Sequence, residues 1–120
     1  MGSRVLLVDD DESICRSVTR TLEAFEVTCE PDPVRLLLRL QAGEVYDAII
    51  LDQQMPTMNG TQLYGQVAKR FPQAAARLAF MTGTSDEGEL KRLRAFGRPL
   101  LPKPYSVEAL RELVATLIAG

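Results

Sequence analysis

A doubly wound α/β fold is predicted from the 120-residue sequence by two observations. Short, unbroken apolar quartets recur along the chain, and longer stretches with helical apolar spacing fill the gaps between them. Val5-Leu6-Leu7-Val8, Ala48-Ile49-Ile50-Leu51 and Leu78-Ala79-Phe80-Met81 read as central parallel strands covered on both faces. Val27-Thr28-Cys29-Glu30 alternates instead, as a half-exposed edge strand does. Arg98-Pro99-Leu100-Leu101 is the weakest strand signal, and Pro99 and Pro102 place it at the opposite edge.

Five helices are expected between and after these strands. Ile14, Val18, Leu22 and Phe25 recur at helical spacing from Glu12 to Phe25. Asp32 can cap a second helix with Pro33 in its first turn, and Gly43 can end it. A third runs from about Gly60 to Arg70, with Leu63, Val67 and Phe71 on one side and Pro72 as its stop. A fourth spans Asp86 to Phe96 and terminates at Gly97. Ser106 caps the fifth, whose stripe is Leu110, Leu113, Val114, Leu117 and Ile118; with Ala109 at the third helical position it lacks a full capping box. Strands alternating with helices make a five-stranded parallel sheet with right-handed crossovers. One domain over residues 1–120 is expected, with Met1-Gly2-Ser3 read as a cloning remnant.

Composition narrows the functions. A chain 46% hydrophobic and 25% charged folds around a core, and a net charge of −2 gives no global pull toward nucleic acid or anionic membrane. No apolar run approaches the roughly 20 residues that span a bilayer. No secretory signal is expected, and the protein is read as cytoplasmic. Gly2 lacks the Ser or Thr that a myristoylation signal needs at the position of Leu6, and Asn59-Gly60-Thr61 is a glycosylation acceptor without meaning in an unsecreted chain. Cys15 and Cys29 are too far apart for a metal knuckle or a C-x-x-C motif, so they are expected to be buried free thiols in a reducing compartment. Histidine is absent, which removes the Ser/His and Cys/His catalytic pairs and most transition-metal sites.

In an open α/β sheet, ligands bind beyond the carboxyl ends of the strands. Here the first strand runs into Asp9-Asp10-Asp11, the third into Asp52, the fourth into Thr82 and the fifth toward Lys103. One of the three consecutive aspartates is needed to cap the following helix; three beside a fourth on a neighbouring strand exceed capping. Crowded carboxylates repel unless a cation intervenes, and Mg²⁺ suits oxygen ligands shared with a phosphate. An ionised aspartate can attack phosphorus without a general base, leaving positioning and charge neutralisation as the remaining work. Taken singly, Thr82 is a strand-end threonine and Lys103 a solvated lysine. Their convergence on one sheet edge makes both candidates for contact with a phosphoryl group.

These residues carry a resemblance. Val8-Asp9-Asp10-Asp11, then Asp52-Gln53-Gln54-Met55-Pro56-Thr57-Met58-Asn59-Gly60, then Met81-Thr82-Gly83, then Lys103-Pro104-Tyr105 resembles the receiver domains of two-component response regulators over essentially the whole chain. The resemblance implies a flavodoxin-like sheet of strand order 2-1-3-4-5. It implies Asp52 as phosphoacceptor, supplied from the phosphohistidine of a histidine kinase or phosphotransfer domain. Asp10 and Asp52 would ligate Mg²⁺ directly and Asp9 through water, with the Gln54 carbonyl completing the protein ligands. Thr82 and Lys103 would contact the phosphoryl group, and Lys103-Pro104 would be cis. Gln54 and Thr84 lie where family members tune the lifetime of the acyl phosphate.

Two features bear on output. Many receivers carry Tyr or Phe three residues before the lysine; here that position is Leu100, which puts the usual threonine–aromatic relay in doubt. The sequence from Phe80 to Gly83 and from Arg98 to Tyr105 looks most like receivers of hybrid sensor histidine kinases. Lys91, Arg92, Arg94 and Arg98 read first as a solvated helix face and second as a docking surface for an acidic partner. The leading expectation is a phosphorelay switch that catalyses only its own phosphorylation and dephosphorylation and acts on an unidentified downstream partner, without nucleic-acid contact. An aspartate-nucleophile phosphohydrolase is disfavoured because Gln54 stands where a second carboxylate would serve as acid/base. A phosphorylation-independent interaction module is disfavoured by the intact acidic set, although Leu100 leaves it room.

Overall fold

The computed structural model describes residues 2–55 and 58–120. Met1, part of the expected cloning remnant, and Pro56 and Thr57 of the motif following Asp52 lie outside the described residues. In chain order the elements are β1 (Arg4–Val8), α1 (Glu12–Thr21), β2 (Glu26–Glu30), α2 (Pro33–Gln41), β3 (Ala48–Asp52) and α3 (Gly60–Arg70). They continue with α4 (Pro72–Ala75), β4 (Leu78–Thr82), α5 (Glu87–Arg94), β5 (Leu100–Pro102) and α6 (Val107–Ala119). All strand pairs are parallel and the order is β2-β1-β3-β4-β5, so the chain adopts the expected doubly wound, flavodoxin-like sheet.

The apolar quartets alternate between two cores because successive strand side chains point to opposite faces. Leu6, Val8, Ile49, Leu51, Leu78 and Phe80 pack with Leu36, Leu63, Val67 and Leu93 from α2, α3 and α5. Val5, Leu7, Ala48, Ile50, Ala79 and Met81 pack with Val18 of α1 and Leu110, Leu113, Val114 and Leu117 of α6. Most of these side chains are fully buried, which is why the quartets Val5–Val8, Ala48–Leu51 and Leu78–Met81 contain no polar residue. Tyr64, Phe80 and Phe96 stack with centroids 4.8–5.9 Å apart, and half-buried Leu100 packs against the same core.

Helix boundaries follow their caps. Asp11 caps α1, its Oδ1 accepting from the N–H groups of Ser13 and Ile14; Asp32 caps α2 and Ser106 caps α6. Asn59 and Gln62 form a reciprocal capping box on α3, a pairing the sequence reading did not anticipate. Gly43 and Gly97 adopt φ of 91° and 70° just past α2 and α5, where residues with a Cβ would be strained. Three expectations need adjustment. The first helix ends at Thr21 rather than Phe25, because Leu22 and Phe25 are reached through turns that still face the core. Pro72 not only stops α3 but opens the single turn α4, since proline suits a first helical position. The last strand is shifted to Leu100–Pro102.

The cysteines are a correction. Cys15 and Cys29, expected as buried free thiols, form a disulfide with Cα atoms 6.1 Å apart, and both are only half-buried. They are separated by 14 positions in sequence, a stretch that includes the turn folding α1 back onto β2, so a helix position and a strand position become neighbours. Linear spacing hid this, as it hides most pairings.

β2 ends in a second surprise. Glu30 is 2% exposed, and its carboxylate accepts from Arg39 Nε at 2.8 Å and from the Asp32 N–H at 3.1 Å, with Arg35 Nε at 3.5 Å. Arg39 Nη1 also donates to Glu44 at 3.1 Å and to the Tyr46 hydroxyl, which in turn donates to Glu44. The hydrogen bond to Glu30 outweighs burial and raises the Arg39 pKa further above its ordinary value. This closed ion cluster pins α2 to the edge strand.

Candidate functional site

The carboxyl ends of β1, β3, β4 and β5 bring the expected residues to one edge of the sheet. Asp9 and Asp10 follow β1, Asp52 ends β3, Thr82 ends β4, and Lys103 follows β5. Register fixes their heights: Val8 pairs with Leu51, Asp52 with Met81, and Thr82 with Pro102. The Lys103 N–H donates to the Thr82 carbonyl at 2.7 Å, and the Lys103-Pro104 bond is cis, as the resemblance implied.

Asp9, Asp52 and Thr82 are 3%, 3% and 1% exposed, whereas Asp10 and Gln54 are open to solvent. Asp9, Asp10 and Asp52 each present a carboxylate oxygen within 4.8 Å of the other two. Asp11 is diverted to capping, so the aspartate run divides its labour as anticipated. Ser13, through its hydroxyl and its N–H, holds the Asp11 carboxyl below the usual range.

Charge in this cluster is unbalanced. Three carboxylates face one ammonium: Lys103 Nζ lies 3.1 Å from Asp52 Oδ1 and 3.7 Å from Asp9 Oδ2. Burial pushes the Asp9 carboxyl from the usual 3.8 up to about 6; the charges of Asp52 and Asp10 add to the rise, while the Asp11 N–H and Lys103 oppose it. Burial lowers the Lys103 pKa, but its hydrogen bond to Asp52 and the nearby carboxylates win and leave it raised. Asp9 Oδ2 is a buried oxygen without a hydrogen-bond partner among the described residues, since 3.7 Å to Lys103 is too long for one. Buried polar atoms are rarely left so. An orphaned carboxylate oxygen among three acids and one lysine is the donor set that a hard, oxygen-seeking cation satisfies.

Residues that sequence reasoning passed over surround this pocket. Gln53, directly after Asp52, is 3% exposed; its Nε2 lies 3.1 Å from Thr61 Oγ1 and donates to Glu89 Oε1 at 3.2 Å. The other oxygen of Glu89 accepts from Thr84 Oγ1 at 3.1 Å, and the Thr84 N–H donates to Thr82 Oγ1 at 3.1 Å. Gly60 comes so close that an added Cβ would sit 2.6 Å from Gln53 Oε1 and 3.1 Å from Gln53 Cα, which explains glycine at that motif position. The only signal for Gln53 and Glu89 in the sequence was polarity at a site-adjacent and a first-turn position. Arg98, grouped with the basic cluster, instead donates to the carbonyls of Leu78 and Ala76 at 2.8 Å each, leaving Lys91, Arg92 and Arg94 exposed on α5.

Fold and site together define an α/β signalling domain with an acidic, lysine-bearing pocket at its strand ends. Residues 5–115 match the response regulator receiver domain, and the chain belongs to that family of phosphoryl-accepting domains in two-component systems. The response regulator protein FleR of Pseudomonas aeruginosa is 32% identical, the match covering 100% of this chain and 25% of that protein. The sensor protein TorS of Escherichia coli is 27% identical over 95% of this chain and 13% of its own length. Hybrid kinases and response regulators thus both stand among its relatives, and the chain spans about a quarter or less of the first of them. Among solved structures, the chemotaxis response regulator CheY4 of Vibrio cholerae superposes with a TM-score of 0.83 at 27% identity, covering 98% of this chain and 99% of that one. A putative response regulator from Chloroflexus aurantiacus reaches 0.87 at 22% identity with 100% of both chains covered, a likeness of fold. Among the described residues no helix is long and apolar enough to cross a membrane.

Proposed function

We propose that residues 1–120 form one receiver domain that works as a phosphoacceptor switch in a two-component phosphorelay. One observation carries this reading: a buried aspartate, Asp52, ends a central strand with its Oδ1 3.1 Å from the Lys103 ammonium, among carboxylates that lack enough cations. An Asp52 carboxylate oxygen attacks the phosphorus of a phosphohistidine on a histidine kinase or phosphotransfer domain. The new bond is an acyl phosphate; the phosphorus–nitrogen bond breaks and the imidazole leaves with its electron pair and takes up a proton. Lys103, held at the mouth by its bond to Asp52, neutralises charge on the transferred group. The Thr82 hydroxyl accepts from the Thr84 N–H, which leaves its own proton free for a phosphoryl oxygen.

Asp10 and Asp52 directly, Asp9 through water and the Gln54 carbonyl would hold Mg²⁺. The ion would supply positive charge against the phosphoryl oxygens that one lysine cannot balance. Hydrolysis of the acyl phosphate returns Asp52, with Gln54 and Thr84 placed to affect its rate. The domain performs this chemistry on itself alone and signals by altered affinity for a downstream protein, in the cytoplasm, without entering a membrane or touching nucleic acid.

Intact-protein mass after incubation with Mg²⁺ and acetyl phosphate, or with a phosphorylated histidine donor domain, tests this. The expected result is a gain of one phosphate that requires Mg²⁺ and is lost in Asp52→Ala. A folded protein that gains nothing from either donor, or an Asp52→Ala variant that gains as much as wild type, contradicts it. Steady turnover of a free phosphate ester would point instead to a phosphohydrolase.

A further inference from the structure

Glu89 is the one carboxylate among the described residues that bridges two of the loops carrying the site. An acid in the first turn of a helix is ordinarily explained by the helix dipole, and exposed Glu87 meets that need on α5. Glu89 does something the dipole does not require. One of its oxygens accepts from Gln53, the residue after Asp52, and the other from Thr84, two residues after Thr82. Thr84 in turn donates its N–H to the Thr82 hydroxyl, and Gln53 is fixed by its buried amide, by Thr61 and by the close approach of Gly60. A continuous hydrogen-bonded path therefore runs from the Thr82 hydroxyl through Thr84 and Glu89 to the side-chain amide of Gln53, the residue after Asp52. It passes through the N-terminal turn of the helix that carries exposed Lys91, Arg92 and Arg94. Leu100, apolar and half-buried, cannot serve as a polar link between Thr82 and that face.

We propose that Glu89 is a positioning residue that clamps the first turn of α5 to both loops of the site, so that a change at Asp52 and Thr82 is passed to α5. This rests on the phosphoacceptor reading. A phosphoryl group on Asp52 competes for the Thr82 hydroxyl. As Thr82 turns toward it, the Thr84 N–H loses its acceptor, the Thr84–Glu89 bond is drawn apart, and the first turn of α5 is released. The carboxylate suits this role because its two oxygens serve two donors from different loops at once.

The test is amide hydrogen exchange at Thr84, Glu89 and Leu90, with Mg²⁺ alone and with Mg²⁺ plus beryllofluoride as phosphoryl mimic. It is run on wild type, Glu89→Ala and Glu89→Gln, with phosphate uptake by mass as a parallel readout. In wild type the mimic should speed exchange at these amides about tenfold, the scale of one charge-assisted hydrogen bond. Glu89→Ala should still take one phosphate but exchange fast from the outset, changing less than about twofold on adding the mimic. Glu89→Gln, which keeps an acceptor for Thr84 and a polar group for Gln53, should retain most of the wild-type response; a helix-dipole role would instead be lost with the charge. Wild-type-like slow exchange and response in Glu89→Ala would overturn the proposal, as would a phosphorylated wild type whose α5 amides do not respond. A wild type that neither binds the mimic nor takes phosphate would overturn the phosphoacceptor reading and this inference with it.

Discussion

Two buried carboxylate clusters lie at the carboxyl ends of neighbouring strands, and they are built on opposite principles. At the end of β2, Glu30 has both oxygens engaged, with Arg39, Arg35 and a backbone N–H around it, and Arg39 is shared with Glu44 and Tyr46. At the ends of β1 and β3, Asp9, Asp10 and Asp52 share a single lysine, and Asp9 Oδ2 has no hydrogen-bond partner among the described residues. The first cluster is saturated and holds the fold together. The second is short of positive charge, which costs stability in the isolated domain and leaves room for a cation and an incoming phosphoryl group. A buried acid is thus a pointer to function when its partners are too few, not merely because it is buried.

The contrast makes opposite predictions for the two clusters. Arg39→Ala strips Glu30 of its closest partner and should destabilise the domain by about 3 kcal/mol in urea melts, since a buried charge would lose its counter-ion. An effect near zero would mean that Arg35 and water suffice and that the cluster is not saturated in the sense argued. The Cys15–Cys29 disulfide ties the strand that ends in Glu30 to the helix that begins beside Asp9 and Asp10. Reduction, or Cys15→Ser, should cost about 2–3 kcal/mol through the closed loop of roughly 15 residues. Thiol titration of the unreduced, denatured protein checks the bond itself and should find no free thiol.

At the second cluster the sign reverses. Asp9→Asn should stabilise the metal-free domain near pH 7 by about 2 kcal/mol, because it removes a carboxylate whose pKa is raised by burial and like charges. The pH dependence follows from the same shift. Folded Asp9 holds its proton more tightly than the unfolded chain does, so metal-free stability should fall as pH rises from the usual 3.8 to about 6 and then level off. Asp9→Asn should flatten that slope. An Asp9→Asn variant that is less stable than wild type without metal would show that the pocket is not strained by its own charge.

The sheet and its active edge were legible because both are written in local runs. Central strands buried on two faces must be continuously apolar, so Asp52 and Thr82 stand out as the first polar residues at their ends. The motif around them then assigned the family. What stayed hidden depends on three-dimensional proximity rather than order. Glu30 sits in an alternating edge strand, where a polar residue at that position reads as solvent-facing; only α2 packing over it brings Arg39 into reach. Cys15 and Cys29 looked independent because a helix and a turn separate them, and Glu89 looked like one more helix-start acid until Gln53 and Thr84 converged on it. Pairings of this kind are set by which faces meet, and a single sequence carries no direct mark of them.

The central claim is that the cluster at β1 and β3 is short of one divalent cation whereas the cluster at β2 is complete. Mg²⁺ titration followed by amide chemical shifts at pH 7.5 tests it most directly, with thermal melting alongside. The account predicts saturable shifts confined to residues near Asp9, Asp10, Asp52, Gln54 and Lys103, and no response at Glu30 or Arg39. It also predicts a stabilisation that reaches about 3 kcal/mol at a hundredfold excess over the dissociation constant. Binding should weaken as the pH falls below about 6, where Asp9 takes up its proton. Shifts centred on Glu30, or no saturable shift at the aspartates of a folded protein, would contradict it.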